Sequence, residues 1–203
     1  MSSRTELPSS PAVALPEAVS ERIRVARPGE PAANGEFVLY WMHNAVRAAE
    51  NPALDAALRT ADELGLPVFV YHAISERYPF ASDRHHTFML EGARDVAAAF
   101  AERGVGYAFH LERPGHRGPH LATLAARAAV VVTEEMPVQP VTTFLAGLVG
   151  RLDEQFGTAG GPPVWSVDAS CIVPMPWVDQ RHDRAFKFKN KTAKLRKRRL
   201  ARR

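Results

Sequence analysis

The run FVLYWM, residues 37–42, is apolar throughout and follows the turn-forming pair Asn34-Gly35. A short apolar run with such a boundary is typical of a strand buried on both faces. Four comparable runs follow it along the chain: VFVYHAI directly after Leu66-Pro67, YAFHL at 107–111, AVVVT at 129–133 and VWSV at 164–167. Strands that are apolar on both faces are typical of a parallel sheet covered by helices on each side.

The segments between these runs have helical spacing and helix-ending residues. Asn51 has the chemistry of an N-cap, Pro52 suits the first helical position, and Gly65 suits the C-terminal stop. A second helix is expected to begin at Ser82 or Asp83 and to close near Gly104. Strand and helix therefore alternate, which predicts a doubly wound, Rossmann-like α/β domain with a five-stranded parallel sheet over residues 21–178.

The two ends of the chain differ from this middle part. Residues 1–20 are rich in Ser, Pro and Ala and predict a flexible leader, with order beginning near Ile23. Residues 179–203 form a basic tail, and within it residues 187–203 hold ten Lys and Arg and no acid. Since the whole chain carries +4, removing those ten charges leaves −6 for residues 1–186.

A block of positive charge attracts nucleic-acid phosphates without reading bases. The tail therefore predicts weak, non-specific binding to DNA, and its alternative interpretation is a solvated helix or coil. The residues expected to supply this electrostatic contact are Lys194, Arg196, Lys197, Arg198 and Arg199.

The remaining composition favours a cytoplasmic protein. A single cysteine, Cys171, excludes an internal disulfide framework and fits a reducing compartment. No apolar run approaches the roughly 18 residues of a membrane helix, and no signal-peptide pattern begins the chain. The spaced pair His116 and His120 lies in RPGHRGPH, where Pro and Gly oppose a helix, so no metal site is expected.

In doubly wound sheets, ligands bind outside the carboxyl ends of the strands, where the strand order reverses. If the five predicted strands are ordered 3-2-1-4-5, this crevice lies between the ends of the first and fourth. The residues placed there are His43, Asn44, Glu134, Glu135 and Met136. Nothing in these spacings names a reaction, and no catalytic residue is predicted.

Several stretches are similar to one family. RIRVARPGEPAANGEFVLYWM (22–42), ASDRHHTFMLEG (81–92), VVVTEEMP (130–137) and VWSVDASCIVP (164–174) resemble, in order and spacing, the N-terminal α/β domain of class II DNA photolyases. Arg47, Glu50, Asn51, Ala53 and Leu54 resemble the family's Arg-x-x-acid-Asn-x-Ala-Leu pattern. Glu134 stands where Asp is usual in the family.

The resemblance implies a domain that serves light-dependent repair of cyclobutane pyrimidine dimers, the reaction of the photolyase/cryptochrome family. It implies an antenna chromophore, either a deazaflavin or a folate, on the α/β domain. FAD is not expected on this chain alone, because the helical domain that would hold it is not recognised in the sequence. The resemblance thus implies a truncated form or a subunit that meets a flavin-binding helical domain in trans and has no activity by itself.

Two alternatives remain open at this point. The chain could be a stand-alone small-molecule-binding module of the same fold. It could also be a nucleic-acid-associated protein that acts through its basic tail. Fold alone does not decide among these functions.

Overall fold

A computed structural model describes residues 11–76, 82–178 and 182–201. Six strands form one sheet: β1 (Ile23–Arg27), β2 (Phe37–Met42), β3 (Val68–Ser75), β4 (Gly106–Glu112), β5 (Ala128–Glu134) and β6 (Val164–Val167). The helices are α1 (Glu17–Ser20), α2 (Pro52–Leu64), α3 (Asp83–Glu102), α4 (His120–Ala125), α5 (Val141–Phe156) and α6 (Ala185–Leu200), with a 3-10 turn at Met175–Trp177.

The sheet order is β1-β6-β5-β2-β3-β4. All five predicted strands are present and mutually parallel, and their predicted order is confirmed. The prediction of five strands was one short, because β1 pairs antiparallel with β6 at the edge of the sheet. IRVAR alternates Arg with apolar residues and lacks the continuous apolar character by which the other strands were recognised.

The helix ends follow the predicted chemistry. The Asn51 side chain accepts hydrogen bonds from the N–H groups of Ala53 and Leu54, and Pro52 occupies the first helical position. Gly65 ends α2 with φ of 64°, a left-handed conformation in which a side chain would be strained. Ser82 caps α3 by accepting from the N–H of His85.

Alternate residues of β2 pack into two separate cores, one on each face of the sheet. Val38, Tyr40 and Met42 face the core that contains α2 and the buried residues of α3. Leu39 and Trp41 face the core that contains α4 and α5. The sheet is therefore covered on both sides, which confirms the doubly wound α/β class.

The far end of β1 carries a buried cation. Arg27 is 1% exposed and lies at the amino end of β6, opposite Val164. Its guanidinium donates to the Asp153 carboxylate at 2.8 Å and to three backbone carbonyls at 2.6–2.9 Å, those of Gly157, Gly160 and Pro162. One side chain thus holds the α5–β6 connection against the edge strand. No local sequence pattern distinguishes Arg27 from the other arginines.

The N-terminal segment is more ordered than a flexible leader over 1–20 would be. Glu17–Ser20 form the short helix α1, and Val13, Leu15 and Val19 pack against the α2 side of the core. Burying these apolar side chains offsets part of the entropy lost on ordering. Residues 1–10 of the predicted leader lie outside the described residues.

The basic tail forms helix α6, which contacts the domain. Thr192 is 2% exposed, and Arg199 forms an ion pair with Glu21, a residue 178 positions earlier. Most other positions of α6 are exposed. Residues 179–181 and 202–203 of the predicted tail lie outside the described residues. Within the described residues, no helix has both the length and the apolar character needed to cross a membrane.

Candidate functional site

The strand order reverses between β2 and β5, since the chain proceeds from β2 to β3 and β4 on one side and returns to β5 and β6 on the other. His43 and Asn44 follow β2 directly, and Glu134 ends β5. The structure brings these three predicted residues into contact at the carboxyl edge. Parallel pairing of the two strands accounts for the juxtaposition, because their carboxyl ends lie side by side.

Glu134 is 1% exposed and bonds the turn that follows β2. Its carboxylate accepts from three consecutive backbone N–H groups, those of His43 (3.0 Å), Asn44 and Ala45 (3.0 Å). The Tyr40 hydroxyl donates a short hydrogen bond to the same carboxylate. Successive N–H groups of this kind form an anion-binding concavity, and here a carboxylate of the chain itself occupies it. The role of Glu134 that this geometry supports is to fix the backbone of the turn after β2.

Asn51 joins this network as well as capping α2. Its amide nitrogen lies 3.0 Å from the Tyr40 hydroxyl oxygen, and it donates to the carbonyls of Ala45 and Arg47 at 3.0 Å each. Asn51 therefore contributes more than the N-cap that the sequence predicted. Burial, followed by the charge of Glu134, raises the pKa of Tyr40 well above its ordinary value, so this hydroxyl stays protonated.

His43 lies beside Glu134 at the carboxyl edge. Its side chain is 14% exposed, its Nδ1 lies 3.3 Å from a Glu134 oxygen, and its ring lies 5.2 Å from that of Trp41. Burial lowers the pKa of His43 despite the opposing effect of Glu134, so the imidazole is neutral at neutral pH. Its Nε2 is buried and lacks a hydrogen-bond partner among the described residues.

His72 lies in the middle of β3, near Glu134 and His43, and was not predicted from the sequence as a site residue. It is 3% exposed, and its Nδ1 lies 2.9 Å from the Tyr107 hydroxyl. Burial lowers its pKa to about 4, with Glu134 opposing the shift and His43 adding to it. The signal that could have identified it is a histidine inside an otherwise apolar run.

The other predicted crevice residues point elsewhere or lie at the rim. Glu135 accepts from the Ser166 hydroxyl and lies 3.4 Å from Arg24, so its carboxylate faces β6 and β1. Asn44 is exposed and donates to the Ser170 hydroxyl at 3.2 Å. Met136 is half-buried in the loop that leaves β5.

A second buried carboxylate orders the loop after β6. Asp168 is fully buried and accepts from the N–H groups of Ser170 (3.0 Å), Cys171 (2.9 Å) and Met175 (2.8 Å). Cys171 itself is half-buried, and burial followed by the charge of Asp168 raises the pKa of its thiol. The carboxyl edge is thus built from loops that buried carboxylates hold in place.

The tail residues predicted to contact DNA divide into two groups. Lys194, Lys197 and Arg198 are exposed on α6. Arg196 and Arg199 are half-buried, since Arg196 donates to Thr192 and to the Lys189 carbonyl while Arg199 pairs with Glu21. Among the described residues, no group of three or more His, Cys, Asp and Glu side chains is placed to hold a metal ion.

Comparison with known proteins identifies the family to which this chain belongs. The family model described as "DNA photolyase" matches residues 38–201, which include most of β2, the Glu134 network and the whole of α6. The chain belongs to the DNA photolyase family. This photolyase domain is 31% identical over 164 residues to the deoxyribodipyrimidine photo-lyase of Methanothermobacter thermautotrophicus, covering 81% of the chain and 34% of that relative. It therefore spans about a third of the relative's length.

Two solved structures of universal stress proteins also match the photolyase domain. One, from Burkholderia pseudomallei, is 22% identical, covers 58% of this chain and 92% of its own, and has a TM-score of 0.33. The other, from Archaeoglobus fulgidus, is 18% identical, covers 66% of this chain and 44% of its own, and has a TM-score of 0.32. At these scores the likeness carries no statement about function.

Proposed function

We propose that this photolyase domain is the light-harvesting and scaffold part of a deoxyribodipyrimidine photolyase. In this proposal it binds an antenna chromophore, a deazaflavin or a folate, in the crevice where β2 and β5 end. The observation that carries the proposal is the unpartnered Nε2 of His43 beside the Trp41 ring, at the point where the strand order reverses. Doubly wound sheets bind their ligands at that point.

The chemistry of the crevice suits a flat heteroaromatic ligand. Such a molecule presents a ring face together with ring N–H and carbonyl groups, and the crevice offers aromatic rings and fixed polar groups. A neutral His43 can donate or accept a hydrogen bond through Nε2, and the Asn44 amide can do both. Because Glu134 holds the backbone of both residues, little ordering is required on binding.

The chromophore's optical transition would be the source of the excitation that the domain passes on. We infer that the acceptor, FAD, is held by a helical domain distinct from this α/β domain and that the α/β domain by itself neither retains FAD nor repairs dimers. The support is the family's reaction together with the match to 34% of the relative's length. Blue-light illumination of dimer-containing DNA with the purified chain tests this inference, and loss of dimers above a no-protein control contradicts it.

Titration of the purified chain with a 5-deazaflavin and with a reduced folate tests the chromophore site. We expect one of the two to bind saturably, with a change in its fluorescence. The substitution His43→Ala is expected to weaken binding by about tenfold, the effect of losing roughly 1.4 kcal/mol of contact. His116→Ala, at an exposed loop histidine, is the matched control and should leave affinity unchanged.

Two results would overturn the proposal. One is the absence of saturable binding for both chromophores. The other is binding that His43→Ala and Asn44→Ala leave unchanged while both variants keep the far-ultraviolet circular dichroism of the parent. The second result would place any ligand away from the carboxyl edge, for example in the open cleft of about 380 Å³ at the amino edge, lined by Phe37, Leu58 and Phe69.

A further inference from the structure

Lysine and arginine are distributed differently along this chain. All five lysines lie on α6, whereas the other 21 of the 26 Lys and Arg residues are arginines. The lysines are Lys187, Lys189, Lys191, Lys194 and Lys197. Lysine is a compact, strongly hydrated charge on a flexible stem, whereas arginine makes directional paired hydrogen bonds. The two residue types on α6 are therefore suited to different roles.

Arginine side chains of α6 contact the domain. Arg199 pairs with Glu21, whose side chain is 4% exposed. The guanidinium groups of Arg198 and Arg199 lie 5.0 Å and 5.6 Å from the centre of the Trp177 ring. Thr192 is 2% exposed, and its hydroxyl donates to the Phe188 carbonyl at 2.8 Å and accepts from Arg196, both contacts lying within α6. The contacts with Glu21 and Trp177 determine which face the helix presents to solvent.

The lysines point the other way. Lys187, Lys191 and Lys194 follow at spacings of four and three residues, so these three side chains form one row. The seven residue steps from Lys187 to Lys194, at 1.5 Å each, give the row a length of about 11 Å. Lys187 forms an ion pair with Asp183, but in the described part of the chain no ion pair joins Lys191, Lys194 or Lys197 to a carboxylate.

We propose that the lysine row of α6, with Lys197 beside it, is a docking surface for the phosphate backbone of duplex DNA. One strand of a duplex presents a phosphate about every 3.4 Å of its axis, so the row faces about three phosphates and Lys197 contacts about one more. The inference rests on the proposed function only in taking DNA as the polyanion. It differs from the sequence-based prediction because Arg198 and Arg199 contact the domain, Arg196 bonds within α6, and the lysines make the contact with DNA.

Salt-dependent binding of a fluorescein-labelled duplex of arbitrary sequence tests this surface. For the parent chain the log–log slope of affinity against NaCl is expected to be about −4, with about 0.9 for each phosphate contacted. Replacing Lys191, Lys194 and Lys197 together by Gln should make the slope shallower by about 3. The matched control replaces Arg59, Arg94 and Arg103 by Gln, which removes the same charge from exposed positions in α2, in the middle of α3 and directly after α3.

The proposal requires the control variant to keep the parent slope. An unchanged slope in the lysine variant overturns it, and so does an equal loss in both variants, since that would reflect net charge alone. A second duplex of unrelated sequence should bind equally, because backbone contacts read no bases. A clear preference between the two duplexes would also contradict the proposal.

Acetylation provides a readout that does not depend on substitution. Because every lysine lies on α6, bound DNA should protect Lys191, Lys194 and Lys197 together from an amine-reactive acetylating reagent.

The lysine variant should bind the chromophore as the parent does. Loss of DNA binding with chromophore binding intact, or the reverse, shows which of the two proposals fails.

Discussion

Arg27 at the amino edge of the sheet and Glu134 at the carboxyl edge are both buried, and the backbone stabilises the two charges in opposite ways. At the amino edge the Arg27 guanidinium donates to three backbone carbonyls and to the Asp153 carboxylate. At the carboxyl edge the Glu134 carboxylate accepts from three backbone N–H groups and the Tyr40 hydroxyl. In both places main-chain dipoles replace the water that burial removes, and a connecting loop is ordered as a result.

The difference between the edges lies in their neighbours. Arg27 forms an ion pair with Asp153, which is part of α5. Glu134 has two histidines nearby, His43 and His72, whose pKa values burial lowers. The amino-edge contacts therefore join β1 to α5 and to the loop before β6, whereas the stability of the carboxyl edge is coupled to the protonation of histidines.

The largest effect is expected from removing the amino-edge cation. Arg27→Met leaves Asp153 and three carbonyls without their donor, which should cost about 3–5 kcal/mol in the free energy of unfolding. Urea denaturation followed by circular dichroism measures it. Arg127→Met, which removes an exposed pair with Glu36, is the control and should not shift the midpoint. Equal effects of the two substitutions would mean that the Arg27 hydrogen bonds do not hold the edge.

Acidification should act on the carboxyl edge through His72. Its folded-state pKa of about 4 lies below the ordinary 6.5, so the unfolded chain takes up a proton that the folded chain does not. Stability is thus fully present above pH 6.5 and falls as the pH drops toward 4, by on the order of 3 kcal/mol from this residue. Unfolding free energies at a series of pH values should show a shallower loss in His72→Gln, and identical slopes would refute the assignment.

Replacing the carboxyl-edge anion should have a somewhat smaller effect. Glu134→Gln keeps the shape but removes the charge that three N–H groups and Tyr40 solvate, at an expected cost of about 2–3 kcal/mol. Glu134→Asp keeps the charge and should lose less stability than Glu134→Gln. Should the aspartate variant unfold as readily as the glutamine variant in urea, side-chain length and not charge would be what the turn requires.

The smallest effect separates the two roles of Asn51. Asn51→Ala should cost about 1–2 kcal/mol, because the cap oxygen and the amide donor are both lost. Aspartate is as good a cap as asparagine, yet Asn51→Asp loses the donor and brings a second carboxylate toward the Glu134 network. We therefore expect Asn51→Asp to be the less stable variant by thermal unfolding, and the reverse order would leave the cap as the only role.

Sequence patterns predicted what depends on neighbours along the chain. The apolar run of β2 and the Asn51-Pro52 start of α2 are local signals, and both were correct. The meeting of His43, Asn44 and Glu134 was predicted because parallel topology requires it. The family resemblance added the match that comparison with known proteins confirmed.

What could not be predicted depends on partners far away in sequence. Arg27 is an ordinary arginine until β1 places it 126 residues from Asp153 in the chain but 2.8 Å away in space. Glu134 was predicted only as a residue of the crevice, because the three N–H groups that its carboxylate bonds have no sequence signature. Likewise, α6 contacts the domain through single long-range contacts, and its composition alone predicted a solvated segment.

The carboxylate that fills the turn after β2 also has a kinetic consequence. In a loop that waits for a ligand's anion, each encounter must be followed by closure of the loop before the complex lasts. Here Glu134 keeps the turn ordered as long as the chain is folded, so a ligand encounters a surface that is already formed. Association at this edge should therefore proceed without a slow ordering phase, and differences in affinity among ligands should appear chiefly in their dissociation rates.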